Sequence, residues 1–419
     1  MSNPVIGFAG MTHLGLVSSI AAAEKGFDLI CYDPDTSRIT DINICNLSVS
    51  EPQLNDLLVK NRERLTFVAE ISHLQQCDVV YIAPDVATDD NGQSDLDTIK
   101  ALLDAVFDAT LPETVIVVLS QAPPGFTRSK QRPGRILFYQ VETLIFGRAV
   151  ERALFPERYI IGCIDPLQPL PTAYAAFLNA HDCPLLPMRY ESAEMAKISI
   201  NMCLVASVTT ANTLAELCEK IGADWSEIAP ALKLDRRIGQ FSYLAPGLGI
   251  AGGNLERDLA TVCNYADLYG SEAGVVRAWI ANSRHRRDWA IRTLYREVLC
   301  AIDDPVIAVL GIAYKENTNS TKNSPSIALL ECLNQYRVRL FDPIVAADAA
   351  PNLRRYGASS ELDACKGADA LAIMTPWPQF SKLDPYEIAA CLRGKTLLDP
   401  YSVLRASVCR DAGLNYIKI

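Results

Sequence analysis

The feature that most constrains this chain is an alternation of short apolar runs with helical segments that occupies both ends and is missing from the middle. Val5 to Ala9 is a short apolar run, followed by a turn, a helix-period stretch through Lys25-Gly26, and a second strand-like run from Asp28 to Tyr32 that closes on Asp33. Val79 to Ala83, Val115 to Leu119 and Tyr159 to Ile161 repeat the pattern, each ending in Pro, Gly or polar turn residues. Strands that are apolar on both faces need helices on both faces, so this is the pattern of a doubly wound, mostly parallel sheet. Near Pro305 the alternation resumes: strands are expected at Val306 to Leu310, Val338 to Phe341, Asp369 to Met374 and Thr396 to Leu398, with a helix from Pro325 to Leu333. Between the two regions, Ser192 to about Glu219 reads as one long helix, Trp225 to Leu232 as a second, and further helical stretches run to about Ala301. The expected fold is therefore α/β, two Rossmann-like domains joined by a central helical domain, with boundaries at 1-190, 191-300 and 301-419.

Composition narrows the function. At 419 residues the chain has room for two or three cores of roughly 100–200 residues each. Its most apolar helical stretch, Ile198 to Leu217, is interrupted by Asn201, Ser207, Thr209, Thr210 and Asn212, so it falls short of a clean membrane span and is expected to be a buried helix. A net charge of -10 and a pI near 5.1 argue against a nucleic-acid surface, which needs clustered Lys and Arg. The opening MSNPVIGF has no basic and apolar leader, and 13 scattered Cys suit reduced thiols, so a cytoplasmic location is expected. No CxxC and no His pair at ligand spacing occurs, so no metal site is expected.

The first βα turn, Gly10-Met11-Thr12-His13-Leu14-Gly15, fills the slot of a GxGxxG dinucleotide fingerprint. The first Gly permits the tight turn, the last lets helix and strand approach, and the helix N-terminus presents amides to a pyrophosphate. Thr12 stands where the middle Gly lets backbone approach phosphate. Asp33 lies where an acid accepts hydrogen bonds from a ribose diol, and a carboxylate repels a 2′-phosphate, which favours NAD over NADP. Gly10, Met11, Thr12, Gly15, Asp33, Gln121 and Lys322 are the expected cofactor contacts.

Beyond that turn, the chain carries Ser120-Gln121-Ala122-Pro123-Pro124-Gly125, Val141-Glu142-Thr143-Leu144, and Ser192-Ala193-Glu194-Met195-Ala196-Lys197 with Asn201. It continues through Asp235-Arg236-Arg237-Ile238-Gly239, the loop from Pro246 through Gly249 and Asn254 to Asp258, Gly311-Ile312-Ala313-Tyr314-Lys315, and Ser324-Pro325. In their order and spacing these segments resemble the UDP-glucose/GDP-mannose 6-dehydrogenases, which oxidise the C6 hydroxyl of a nucleotide-bound sugar to a carboxylate with two NAD. The resemblance implies that Lys197 stabilises a developing oxyanion with help from Asn201, that Asp258 assists deprotonation, and that Glu142 acts on water. It implies that Arg237 crosses from a partner subunit, making the protein a homodimer, and that Lys315 lies near the phosphates of a UDP- or GDP-hexose. Arg237, Gly249, Lys315, Glu142 and Lys197 are the expected substrate contacts.

The chain also departs from that family. Its second oxidation needs a cysteine that adds to the C6 aldehyde, and ungapped alignment of Gly249 to Asp258 puts Asn254 there. An amide nitrogen is delocalised and is not a nucleophile. Gln121 replaces a usual Thr, Phe146 a common Glu and Tyr401 an Arg. Three functions fit: a two-electron oxidation or redox isomerisation of a nucleotide-activated sugar, full oxidation to the uronic acid through an aldehyde hydrate, or a silent nucleotide-sugar-binding subunit.

Overall fold

The computed structural model describes residues 3–87 and 94–419. The chain falls into two compact units divided between Ile200 and Asn201.

The first unit is built on an eight-stranded sheet in the order β3-β2-β1-β4-β5-β6-β7-β8. The strands are β1 Ile6–Ala9, β2 Leu29–Tyr32, β3 Leu65–Val68, β4 Val79–Ile82, β5 Val115–Val118, β6 Ile136–Gln140, β7 Tyr159–Cys163 and β8 Leu185–Arg189. All neighbours are parallel except β6 and β7. Strands β1, β2, β4 and β5 are buried along their whole length, which is why they read as unbroken apolar runs rather than as alternations. One face packs Phe8, Val79, Tyr81 and Val117 against helix α1, His13–Glu24; the other packs Ile30, Val80, Ile82 and Ile116 against Leu103 and Val106. Three strands were not anticipated. β3 and β8 are short, partly exposed edges, β8 with Pro187 inside it, and β6 lies beyond a Gly-Pro-rich stretch that obscured its period.

Helix α2, Tyr190–Ile221, runs two residues beyond the expected limits at each end. Its apolar window has a mean hydropathy of 1.3 but is only 39% buried, so the expectation of a buried helix is corrected. The apolar residues are spread around the helix, leaving Met195, Leu214, Leu217 and Ile221 exposed while the polar Asn201, Thr209 and Asn212 are buried. By length and composition alone the helix could cross a membrane; its buried amides instead serve internal contacts.

In the second unit, α3 Trp225–Leu234, α4 Asn254–Tyr269 and α5 Gly274–Arg287 precede a six-stranded, all-parallel sheet in the order β11-β10-β9-β12-β13-β14. These strands are β9 Val306–Leu310, β10 Arg337–Phe341, β11 Arg355–Gly357, β12 Ala370–Ile373, β13 Thr396–Leu398 and β14 Asn415–Ile417. No strand occurs between β8 and β9 among the described residues. The α/β architecture with two parallel-stranded sheets and a helical middle is the one expected.

Candidate active site

The fingerprint turn follows directly from β1. Gly10 has φ +96°, and a Cβ there would stand 2.7 Å from the Pro84 nitrogen; a Cβ on Gly15 would stand 1.9 Å from the Gly10 carbonyl oxygen. Both positions therefore require glycine, as a dinucleotide cradle does. The Met11 amide donates to Asp33 Oδ2 at 2.7 Å, fixing the acid at the end of β2 beside the turn. Asp33 is 2% exposed and also accepts from the Asp35 amide at 2.9 Å and from Arg38 Nη1 at 2.8 Å. Arg38 was missed by sequence reasoning; its signal was the spacing of a cation five residues after the strand-end acid. These residues fit the diol and pyrophosphate of a dinucleotide, with one modification. Thr12, at the N-cap of α1, does not cap the helix with its side chain; Thr12 Oγ1 accepts from the Asp85 amide, and the Asp85 carboxylate accepts from the His13 amide, each at 2.8 Å.

Beyond β5, the turn containing Gln121 is tied to the start of α2. Glu194, fully buried, accepts from the Gly125 amide at 2.6 Å and the Thr127 amide at 2.8 Å; burial raises its carboxyl above the usual range, against the pull of these bonds. One turn further along α2, Lys197 Nζ donates to the Glu142 carbonyl at 2.9 Å and to Glu142 Oε2 at 3.2 Å. The Glu142 carboxylate is also gripped by the Leu144 amide. Both side chains are mostly buried, at 13% and 18% exposed, so their attraction is little screened.

A second cluster forms in the other unit. Asn201 Nδ2 donates to Asp258 Oδ2 at 2.5 Å, and Asp258, 1% exposed, has the buried Arg257 guanidinium 3.5 Å from its other oxygen. Arg257 was also missed; a basic residue beside a buried acid was the available signal. Asn254 is the exposed first residue of α4, with Gly253 as its N-cap. Gly249, at φ +82°, lies against Ser283, whose hydroxyl accepts from the Ile250 amide at 2.8 Å. The Gly252 amide donates to the Lys322 carbonyl at 3.1 Å, Asn323 Nδ2 donates to the Gly252 carbonyl at 3.1 Å, and the Tyr314 ring covers Gly252. Lys315 Nζ lies 5.7 Å from the centre of that ring. The structure thus sets the loop that carries Gly249 and leads into α4, with Asn254 and Asp258 in the first turns of that helix, against the loop that carries Lys315 and Lys322. Arg237 is left apart: its side chain is 89% exposed and is bridged by Asp235 at 2.6 Å.

Cys263 is buried nine residues after Asn254, about 13 Å farther along the helix axis. All 13 cysteines are free.

Comparison with known proteins covers nearly the whole chain. Residues 5–169, 191–284 and 308–406 match the NAD binding, central and UDP binding domains of the UDP-glucose/GDP-mannose dehydrogenase family. The UDP-glucose 6-dehydrogenase TuaD of Bacillus subtilis is 29% identical over 99% of this chain and 92% of its own length. The UDP-glucose 6-dehydrogenase of Rickettsia conorii is 28% identical over 99% of both. Among solved structures, a UDP-glucose dehydrogenase from Pyrobaculum islandicum has the same fold, with a TM-score of 0.86 at 24% identity over 99% of this chain and 97% of that one.

Proposed function

We propose, from the premise that this chain belongs to the UDP-glucose/GDP-mannose dehydrogenase family, that it takes a UDP- or GDP-hexose through one two-electron step, an oxidation or a redox isomerisation. The coarser activity is that of an NAD-dependent oxidoreductase. The observation that carries the finer reading is Asn254 at the head of α4, where the covalent route requires a thiolate. NAD, when bound, accepts a hydride from a carbinol carbon.

The chain's own residues supply the rest. Lys197 brings a fixed ammonium to an alkoxide as charge develops on it, with Glu142 holding the side chain in place. Asp258 is the proton acceptor, oriented by Asn201, with the Arg257 guanidinium beside it. Lys315 draws the phosphates of the nucleotide sugar, Lys322 contacts the cofactor, and Arg237, apart from the other site residues, is available to a second copy in a cytoplasmic homodimer. A second reading, oxidation to the acid through an aldehyde hydrate, is favoured by one observation: the Glu142 carboxylate is pinned by Lys197 and Leu144 as a base acting on water would be.

Incubation with NAD and a panel of UDP- and GDP-sugars tests the proposal. Release of NADH or of an altered sugar supports it, and no turnover of any member contradicts it. The Asn254→Cys protein is expected to gain acid-forming activity if this loop holds the position of the attacking sulfur.

A further inference from the structure

The cofactor turn is closed on itself by two residues that belong to different strands' ends. Asp85 lies just after β4, 73 positions from Thr12 in sequence. Its amide donates to Thr12 Oγ1 and its carboxylate accepts from the His13 amide, both at 2.8 Å. The bonds are reciprocal, so the side chain that departs from the glycine fingerprint and the acid that fills its place hold one another. His13 is held on its other side as well, with Nε2 2.9 Å from Glu51 Oε1 and its ring 4.2 Å from that of Phe146.

The first amide of α1 is one that a pyrophosphate oxygen would take. Here a carboxylate of the protein holds it. We propose that Asp85, latched by Thr12, competes with the cofactor's pyrophosphate for the head of α1 and so sets the affinity of the chain for NAD. The inference deepens the assignment of NAD to this turn and rests on it. To bind, the pyrophosphate displaces the Asp85 carboxylate from the His13 amide, and the displaced charge stays close enough to repel it. Adenosine, which has no phosphate, meets no such penalty.

The test is calorimetric titration of the full-length protein and its Asp85→Asn variant with NAD, ADP-ribose and adenosine. Loss of one negative charge beside the pyrophosphate should tighten NAD and ADP-ribose by about tenfold and leave adenosine unchanged. The gain should shrink between about 0.05 M and about 0.5 M salt, because Asp85 is exposed and its repulsion is screened. Thr12→Gly, which removes the acceptor of the Asp85 amide and restores the glycine, should shift affinity in the same direction, and serves if the first variant folds poorly. Equal or weaker NAD binding by both variants overturns the inference while leaving the cofactor assignment intact. A gain that extends equally to adenosine also overturns it, because it would mark general loosening of the turn. Absence of NAD binding by all three proteins would remove the assignment and the inference together.

Discussion

The two sheets begin in the same way and diverge within three residues. Gly10 and Gly311 both take positive φ, at +96° and +92°, and their amides donate to the last residues of the neighbouring strands, Tyr32 and Phe341, each at 2.8 Å. The next amide then meets an acid followed by Pro: Met11 donates to Asp33 at 2.7 Å, and Ile312 to Asp342 at 2.6 Å. After that the first turn enters helix α1 at His13, whereas the second runs through a loop to a helix that starts only at Pro325. Ser324 caps that helix, accepting from the Ser326 amide and donating to the Ile312 carbonyl at 2.8 Å. Asp342 is saturated, accepting from the amides of Ile312, Ala313, Ile344 and Val345 and from Trp377 Nε1. One frame therefore carries a helix head, its first amide held by Asp85, and a partly engaged acid, the elements that suit pyrophosphate and ribose. The other has closed both, and its inserted loop carries Lys315 and Lys322.

The shared part of the comparison is broken most violently at its glycines. Gly15→Val, which sets a side chain against the Gly10 carbonyl, should cost at least about 3 kcal/mol, and Gly311→Val, whose Cβ would stand 2.4 Å from that of Thr375, should cost as much, both read as a fall in the unfolding midpoint. The chemical contrast comes next. Lys197→Met should lower kcat by about a hundredfold, the usual scale for loss of one oxyanion stabiliser, whereas Lys315→Ala should act chiefly on KM for the nucleotide sugar, a split that steady-state kinetics resolves. The paired acids separate the two frames at a finer level. Asp33→Asn should weaken NAD binding, while Asp342→Asn should leave it unchanged and cost about 1–3 kcal/mol of stability through its unsatisfied amides.

The smallest contrast is in pH. Burial lowers His181, in the first unit, from 6.5 to about 4. At this group the folded state then binds fewer protons than the unfolded one across that window, so His181 withdraws stability from the first unit as pH falls from about 6.5 towards 4. Burial raises Glu256, in the second unit, from 4.5 to about 7 against the opposing charges of Arg287, Lys322 and Arg284. Here the folded state binds more protons, so the second unit gains stability as pH falls from about 7 towards 4.5. Amide hydrogen exchange at pH 7.5 and pH 5.5, corrected for intrinsic rates, should show protection falling around His181 and rising around Glu256. Glu256→Gln should flatten the second response, by no more than about 1 kcal/mol given partial exposure.

Both frames were legible in the sequence because their central strands are buried on two sides and read as unbroken apolar runs. The edges β3, β8, β11 and β14 were not, since three to five half-exposed residues carry too little period to distinguish from a loop. The candidate site was legible in its residue types: Lys197, Asn201, Glu142, Asp258 and Asn254 were all singled out. Their pairings were not, because Glu142 meets Lys197 across 55 positions and Asn201 meets Asp258 across 57. Asp85 escaped notice for the same reason. A carboxylate after a strand has no local signature that says which amide it will find.

The proposal that the amide of Asn254 stands where the covalent route needs a sulfur nucleophile is tested most directly by counting NADH formed per nucleotide sugar consumed at completion, with the intact protein weighed by mass spectrometry during turnover. The account predicts a ratio no greater than one and no covalent sugar adduct. A ratio of two, or a trapped thioester on any of the free cysteines, would contradict it.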